Sequence, residues 1–350
     1  MVDVTASSQR CGSARLDGGG TVAYCLSGSG PPLVVVPGWL SHLELDWAVS
    51  AVRAFHLALA TGRTLVRYDR PGCGLSEPYE GSRSIELEVA AIRAVTQAVG
   101  ADRFDLLGWS LGAPIAATWA ALEPGTVERL VLYGGWADGS AIGDTQSRRH
   151  VLGLVGSHWG LGSDLLTNLF APDADAGTRR ALARYQRESS SADTAVALLR
   201  LAYELDVREA LPEVLAPTLV LHRGGDRAAP IAQGQALADG IPSATFVALD
   251  GRSHLPAFGD AQSVVRPVRR FLGLPGLRRA APVGLTQRQM EVAALVADGL
   301  TNAEIGRRLH ITERSAESHL ERVRIRLGFR SRAQVAAWFV TQEPSSPQVR

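Results

Sequence analysis

Phe104-Asp105-Leu106-Leu107-Gly108-Trp109-Ser110-Leu111-Gly112-Ala113 is the stretch on which the fold of the longer part of this chain turns. Phe104–Leu107 is a short apolar run suited to a buried strand, and Ala113 to Ala121 is alanine-rich and helix-forming. Between them, Ser110 sits two residues from a glycine on either side. A serine on a sharp strand-to-helix turn needs small residues at those positions, because the backbone passes so closely there. The turn also sets Ser110 at a helix N-terminus, whose free amides favour developing negative charge. G-x-S-x-G alone is a weak signal in a chain with 36 glycines, so its surroundings must carry the reading.

Outward from this turn, short apolar runs alternate with longer helical stretches. Strands are predicted at Thr21–Leu26, Leu33–Val36, Thr64–Tyr68, Leu130–Tyr133, Thr218–Leu221 and Thr245–Ala248. Leu33-Val34-Val35-Val36 is apolar on both faces, as a parallel sheet covered by helices requires. Leu219–Gly225 leads to Asp226, and Phe246–Ser253 leads to His254. The order Ser, Asp, His suits a nucleophile on this kind of turn. His254 would deprotonate Ser110, and Asp226 would orient and stabilise the imidazole. The bland alternative is an Asp226 that caps a helix and a His254 that merely sits in a loop. Asp138 is a second candidate acid, and His222, inside a strand, reads as a core residue. An oxyanion hole needs two amides. Leu111 N–H follows the nucleophile, and Trp39 N–H lies in the loop Pro37-Gly38-Trp39 after the strand Leu33–Val36.

These features, with the loop Tyr68-Asp69-Arg70-Pro71-Gly72-Cys73-Gly74-Leu75-Ser76, resemble the α/β-hydrolase fold across residues 20 to 273. Pro37 departs from the His-Gly of many relatives. Between about 136 and 212 the strand rhythm stops and helical patterns such as Thr178–Arg187 and Ala195–Leu205 replace it. By position this is a cap over Ser110. Trp159, Leu161, Leu165, Leu166, Leu169 and Phe170 are candidates for its apolar lining, or for a plain helix core.

The last part of the chain reads differently. Thr286 to Gln289 and Thr301 to Glu304 have capping-box spacing, and Gly299 closes the first helix. Val292, Leu295 and Val296 share a face of that helix, and Ile305 and Leu309 point inward from the second. His310-Ile311-Thr312 is a three-residue turn. The third helix, Glu313 to Leu327, carries Ala316, Leu320, Val323 and Leu327 on one stripe, and Gly328 ends it. A short fourth helix runs from about Arg332 to Phe339. Arg314, Glu317, Ser318, Glu321, Arg322 and Arg324 form the polar face of the third helix, which would enter the major groove. Thr301 and Asn302 complete the candidate DNA-contacting set. A three-helix protein-binding domain with a solvated charged face is the alternative. Leu285-Thr286-Gln287-Arg288, Gly299-Leu300-Thr301-Asn302-Ala303-Glu304-Ile305, Leu309-His310-Ile311-Thr312 and Arg326-Leu327-Gly328-Phe329 resemble the LuxR-type helix-turn-helix. The resemblance implies dimerisation through the fourth helix and binding to double-stranded promoter DNA. Ser315-Ala316-Glu317 departs from the Thr-Val-Lys of many members, so a phosphate-contacting cation is missing, and Glu317 can instead accept from a cytosine amino group.

Charge separates the two parts. Residues from 276 onward hold 12 arginines against 7 acidic residues, while the preceding part holds 24 against 28. A basic end on a nearly neutral chain is the footprint of phosphate contact. All basic residues are arginine. Three cysteines, Cys11, Cys25 and Cys73, are an odd count without metal spacing, which suits a reducing cytoplasm. No signal core, membrane-length apolar run, glycine-rich phosphate loop or metal cluster is evident, so no membrane, metal or cofactor is indicated.

The expected organisation is therefore a flexible 1–15, an α/β-hydrolase domain over 16–273 with its cap, a linker over 274–284, an all-α four-helix domain over 285–340 and a flexible tail over 341–350. The whole resembles actinobacterial-type transcriptional regulators. The expected function is a cytoplasmic, homodimeric DNA-binding regulator whose hydrolase-like domain senses an unidentified small ligand and is a candidate to hydrolyse it. The alternatives are a serine esterase with an accessory DNA-binding domain, and a receptor whose triad is a fossil.

Overall fold

Eight strands form one mixed sheet in the order β1-β2-β4-β3-β5-β6-β7-β8. The computed structural model describes residues 9–275, 285–327, 329 and 331–340. The expectations for residues 1–8, most of the linker, the stop at Gly328 and the tail lie outside these. The strands are β1 (Arg10–Arg15), β2 (Thr21–Gly28), β3 (Pro32–Val36), β4 (Thr64–Tyr68), β5 (Phe104–Trp109), β6 (Val127–Tyr133), β7 (Thr218–Arg223) and β8 (Ala244–Leu249). β1 pairs antiparallel with β2 and β2 with β4; from β4 to β8 all pairing is parallel. Leu33, Leu65, Leu106 and Leu130 are wholly buried, as expected of strands covered on both faces.

Helices α1 (Leu43–Ala48), α2 (Ser50–Ala60), α3 (Ile85–Ala98), α4 (Gly112–Leu122), α9 (Ile231–Gly240) and α10 (Ala261–Phe271) accompany the sheet. Ser84 caps α3 and Asp260 caps α10 through side-chain oxygens that accept from backbone amides. The chain leaves β3 toward β4 on one side and returns to β5 on the other, so the carboxyl ends of β3 and β5 open a crevice at the point where strand order reverses. The loops after β3 and β5 meet there.

The strand β1 corrects the expectation that residues before 15 lack order. Its register sets Cys11 opposite Cys25, and the two form a disulfide, a pairing that the reading of the three cysteines as suited to a reducing cytoplasm did not anticipate. Opposed residues of an antiparallel pair bring their Cβ atoms close, and no spacing rule in the sequence announces such a partner. Cys73 is free and buried.

Four helices, α5 (Thr145–Ser157), α6 (Trp159–Phe170), α7 (Ala176–Ser189) and α8 (Ala192–Glu204), are inserted between β6 and β7. An isolated bridge between Asp138 and Asp206 closes the base of this insertion. Asp144, Asp175 and Ser191 cap three of the helices. Their apolar faces gather Val155, Leu166, Ala195, Leu198 and Leu199 with Trp39, Leu40 and Cys73 of the main body. Leu161 and Leu165 are exposed at 62% and 47% and face away, so only Leu166, Leu169 and Phe170 of the expected lining reach the cavity below.

The described residues from Leu285 onward form a second unit. Its helices are α11 (Gln287–Ala297), α12 (Asn302–Leu309), α13 (Glu313–Leu327) and α14 (Arg332–Val340). Both capping boxes are formed, Thr286 with Gln289 and Thr301 with Glu304. The core gathers Leu285, Val292, Ala293, Val296, Ile305, Ala316, Leu320, Val323 and Val335. The turn between α12 and α13 begins with His310 in the left-handed conformation, φ +54°.

Candidate functional site

Ser110 has a φ of +54°, and among the described non-glycine residues only His310 shares a positive value. A strained serine at a strand-to-helix junction is an outlier that marks function. The neighbouring glycines are what the turn needs. A Cβ on Gly108 would lie 2.2 Å from the Gly112 carbonyl oxygen, and one on Gly112 would lie 2.3 Å from the Val36 oxygen. Ser110 N–H donates to the Tyr133 carbonyl at 2.9 Å, which ties the turn to the end of β6.

Three loops converge on the hydroxyl. His254, beyond β8, lies with Nε2 2.7 Å from Ser110 Oγ and Nδ1 2.7 Å from Asp226 Oδ2. Asp226, beyond β7, also accepts from Ala228 N–H at 2.8 Å and Ala229 N–H at 3.3 Å. Burial alone would raise the Asp226 pKa, but the His254 charge, its hydrogen bond and the Ala228 amide outweigh burial and hold it below the ordinary value. Asp138, the other candidate acid, instead caps a 3-10 turn by accepting from Ser140 N–H and lies 3.4 Å from Arg208. His222 is fully buried against the Ala229 carbonyl at 2.9 Å, and burial lowers its pKa.

Trp39 and Leu111 both line the cavity beside Ser110. Among the described residues neither backbone amide has an acceptor, so both are free for an oxyanion. The Trp39 loop is held from behind. Arg70, wholly buried, donates from Nε to the Gly38 carbonyl at 2.6 Å and from Nη2 to the Pro37 carbonyl at 2.5 Å, and pairs with the buried Glu88. The His254 loop is held in the same way. Arg223 donates to the carbonyls of Ser253, Phe258 and Asp260 at 2.9, 2.6 and 3.0 Å. Sequence reasoning missed both arginines. Arg70 lies in a loop that attracted notice, but Arg223 ends a strand and bears no signal of its own.

The cavity at Ser110 is about 200 Å³. A narrower arm of about 40 Å³ runs past Trp39, Phe170, Leu182 and Tyr185. The cap meets the catalytic loop directly, because Phe170 O accepts from His254 N–H at 2.8 Å and its ring centre is 5.4 Å from the imidazole.

In the second unit, Arg314, Glu317, Glu321 and Arg322 of α13 are exposed, and Ser318 is half-buried. Arg324 pairs with Glu321 at 2.7 Å. At the start of α12, the Thr301 hydroxyl donates to Glu304 at 2.8 Å, and Asn302 accepts from Arg332 at 2.9 Å. Part of the candidate set therefore makes contacts within the unit, while Arg314, Glu317 and Arg322 remain exposed on α13.

Comparison with known proteins agrees with both halves. The sequence model of the α/β hydrolase fold matches residues 31–261, and that of bacterial regulatory proteins of the luxR family matches residues 283–339. The chain is 28% identical over 264 residues to the pyrrolizixenacetamide deacetylase of Xenorhabdus hominickii, covering 73% of this chain and 96% of that protein. It is 27% identical over 267 residues to a 2-hydroxy-6-oxononadienedioate/2-hydroxy-6-oxononatrienedioate hydrolase of Pseudomonas putida, covering 73% of this chain and 88% of that protein. A hydrolase from Pseudomonas aeruginosa superposes with a TM-score of 0.66 at 21% identity, covering 75% of this chain and 98% of that one. The bromoperoxidase of Bacillus anthracis does so with 0.66 at 20%, covering 75% of this chain and all of that one. The structural likenesses show the fold. The chain belongs to the α/β hydrolase fold family and carries, after that domain, a DNA-binding domain of the luxR family of bacterial regulators.

Proposed function

We propose that the protein is a transcriptional regulator whose hydrolase domain binds and hydrolyses a small carbonyl ligand and passes its occupancy to the DNA-reading domain. One observation carries this reading: a Ser110–His254–Asp226 chain with both links at 2.7 Å, beneath a capped cavity, in a polypeptide that ends in a luxR-type domain. In the proposed reaction Ser110 Oγ bonds to the carbonyl carbon as His254 Nε2 accepts its proton. Asp226 accepts from His254 Nδ1–H and stabilises the imidazolium. The Trp39 and Leu111 amides donate to the oxyanion. His254 returns the proton to the leaving group as its bond to the carbonyl carbon breaks. Water, deprotonated by His254, then releases the acid and restores Ser110.

The same contacts supply a route out of the site. A ligand that displaces α6 shifts Phe170 and with it the His254 backbone. Arg223 joins that loop to Asp260, the cap of α10, after which the chain runs into the segment before the DNA-reading domain. Occupancy thereby alters how a homodimer grips its operator, in the cytoplasm where promoters lie.

Fluorophosphonate labelling tests the nucleophile: wild type is expected to label and Ser110→Ala not to. Operator affinity of phosphonylated and unmodified protein then tests the coupling, on DNA that the protein itself selects from a random pool. Equal affinities sink it. An intact triad also favours a second reading, an esterase whose DNA-binding domain only localises it, and rapid turnover with unchanged DNA affinity is its signature.

A further inference from the structure

The cavity at Ser110 has a one-sided charge. Its lining includes the guanidiniums of Arg148 and Arg227, and no carboxylate is among the lining residues. Arg148 is on α5, half-buried, and its Nε is shielded from solvent without a hydrogen-bond partner among the described residues. Its Nη2 reaches only the Thr145 hydroxyl at 3.3 Å, and its guanidinium lies 5.9 Å from the Tyr203 ring centre. Arg227 is exposed and makes no ion pair among the described residues. Arg67, Arg223 and Arg269 also keep an Nε without an acceptor, but their other nitrogens are bonded to protein oxygens. Arg148 lines the cavity with one hydroxyl contact at 3.3 Å, so its charge is open to an acceptor that arrives with the ligand.

Arg148 and Tyr203 also line a second, open groove of about 600 Å³ on the outer side of the cap. That groove adds Arg149 and Arg200, against Asp193 and Glu204. Neither Arg149 nor Arg200 is in an ion pair among the described residues. Arg148 therefore borders both the cavity at Ser110 and an arginine-bearing groove.

We infer that the ligand carries an anionic group, a carboxylate or a phosphate, that pairs with Arg148 while its carbonyl carbon rests at Ser110. The inference deepens the proposed ligand-binding reading and rests on it. The apolar wall formed by Trp136, Val151, Leu166 and Leu199 takes the linker between the two ends. A neutral ester of equal length would leave the Arg148 Nε unpaired and forfeit the charge-assisted contact.

The test is equilibrium binding to the full chain carrying Ser110→Ala, so that nothing is consumed, read by melting temperature and tryptophan fluorescence. The probes are half methyl esters of linear dicarboxylic acids, phosphate-terminated methyl esters, and neutral methyl alkanoates matched in length. The anionic probes are expected to bind at least about tenfold tighter than the neutral ones at the best length. Adding Arg148→Ala should bring that ratio near one, and Arg148→Lys should keep part of it. Whichever anionic set binds tighter names the group. Neutral probes that bind as well as anionic ones, or a preference that survives Arg148→Ala, overturn the inference and leave the ligand-binding reading intact. If no probe of any kind binds, the ligand-binding reading falls and the inference with it.

Discussion

Asp226 illustrates how much one side chain decides. Its carboxylate accepts at once from His254 and from the Ala228 amide, and it is held charged despite its burial. Asp226→Asn keeps the shape but favours the imidazole tautomer that cannot take the Ser110 proton. The expected result is a fall of about 10³–10⁴-fold in the rate of fluorophosphonate labelling. Glu88 acts at a distance from the chemistry. It is the buried partner of Arg70, which holds the carbonyls of Pro37 and Gly38 beneath the Trp39 amide. Removing one charge of a buried pair leaves the other uncompensated, so Glu88→Gln should lower unfolding free energy by about 3–5 kcal/mol in a denaturant melt.

At the scale of elements, the turn from β5 to α4 is packed against the loop after β3 with no room for another carbon. Gly112→Ala would set a methyl 2.3 Å from Val36 O and 2.5 Å from Pro37 O, both backbone atoms that cannot swing aside. A loss of about 1–3 kcal/mol in stability is expected, with slower labelling because the Trp39 amide shifts. The reading helix α13 invites the opposite kind of change. Glu317 is exposed on α13, on the face that we propose meets DNA. Glu317→Lys should tighten general DNA binding and steepen the slope of log affinity against log salt by about 0.9 for one added phosphate contact. An unchanged slope would place Glu317 away from the backbone.

For the whole molecule, buried carboxylates set the pH dependence of stability. Burial, only partly offset by the Leu75 and Leu43 amides, raises Asp69 from 3.8 to about 7. Burial likewise raises Asp46 from 3.8 to about 6, against the pull of Arg67. A group with a raised folded pKa holds its proton more tightly in the folded chain, so its contribution is full below the unfolded pKa and is lost as pH rises through the folded one. Stability should therefore fall between about 4 and about 7 on account of these two groups. Asp69→Asn should flatten the upper part of that window, between about 6 and 7, in melts at constant ionic strength. The larger-scale question is whether the hydrolase unit governs the DNA-reading one, which the comparison of phosphonylated and unmodified protein answers.

Much of this protein was legible along the chain because its signals are local. A glycine-flanked serine after an apolar run, an acid and a histidine each following a later strand, and two capping boxes ahead of a three-residue turn depend only on neighbours in sequence. Those features determined both folds and the residues of the candidate site. Contacts between distant segments were not legible. Cys11 meets Cys25 only because β1 and β2 pair in one register, and β1 itself, a strand of mostly exposed residues at a sheet edge, has no apolar pattern to betray it. Arg70 and Arg223 became loop anchors because the fold folds carbonyls from remote segments around them. Which cap residues line the cavity, Arg148 among them, and that Leu161 and Leu165 are exposed, followed from how four helices pack over the sheet. Periodicity can mark an apolar face, but only the packing of the other elements says what that face will meet.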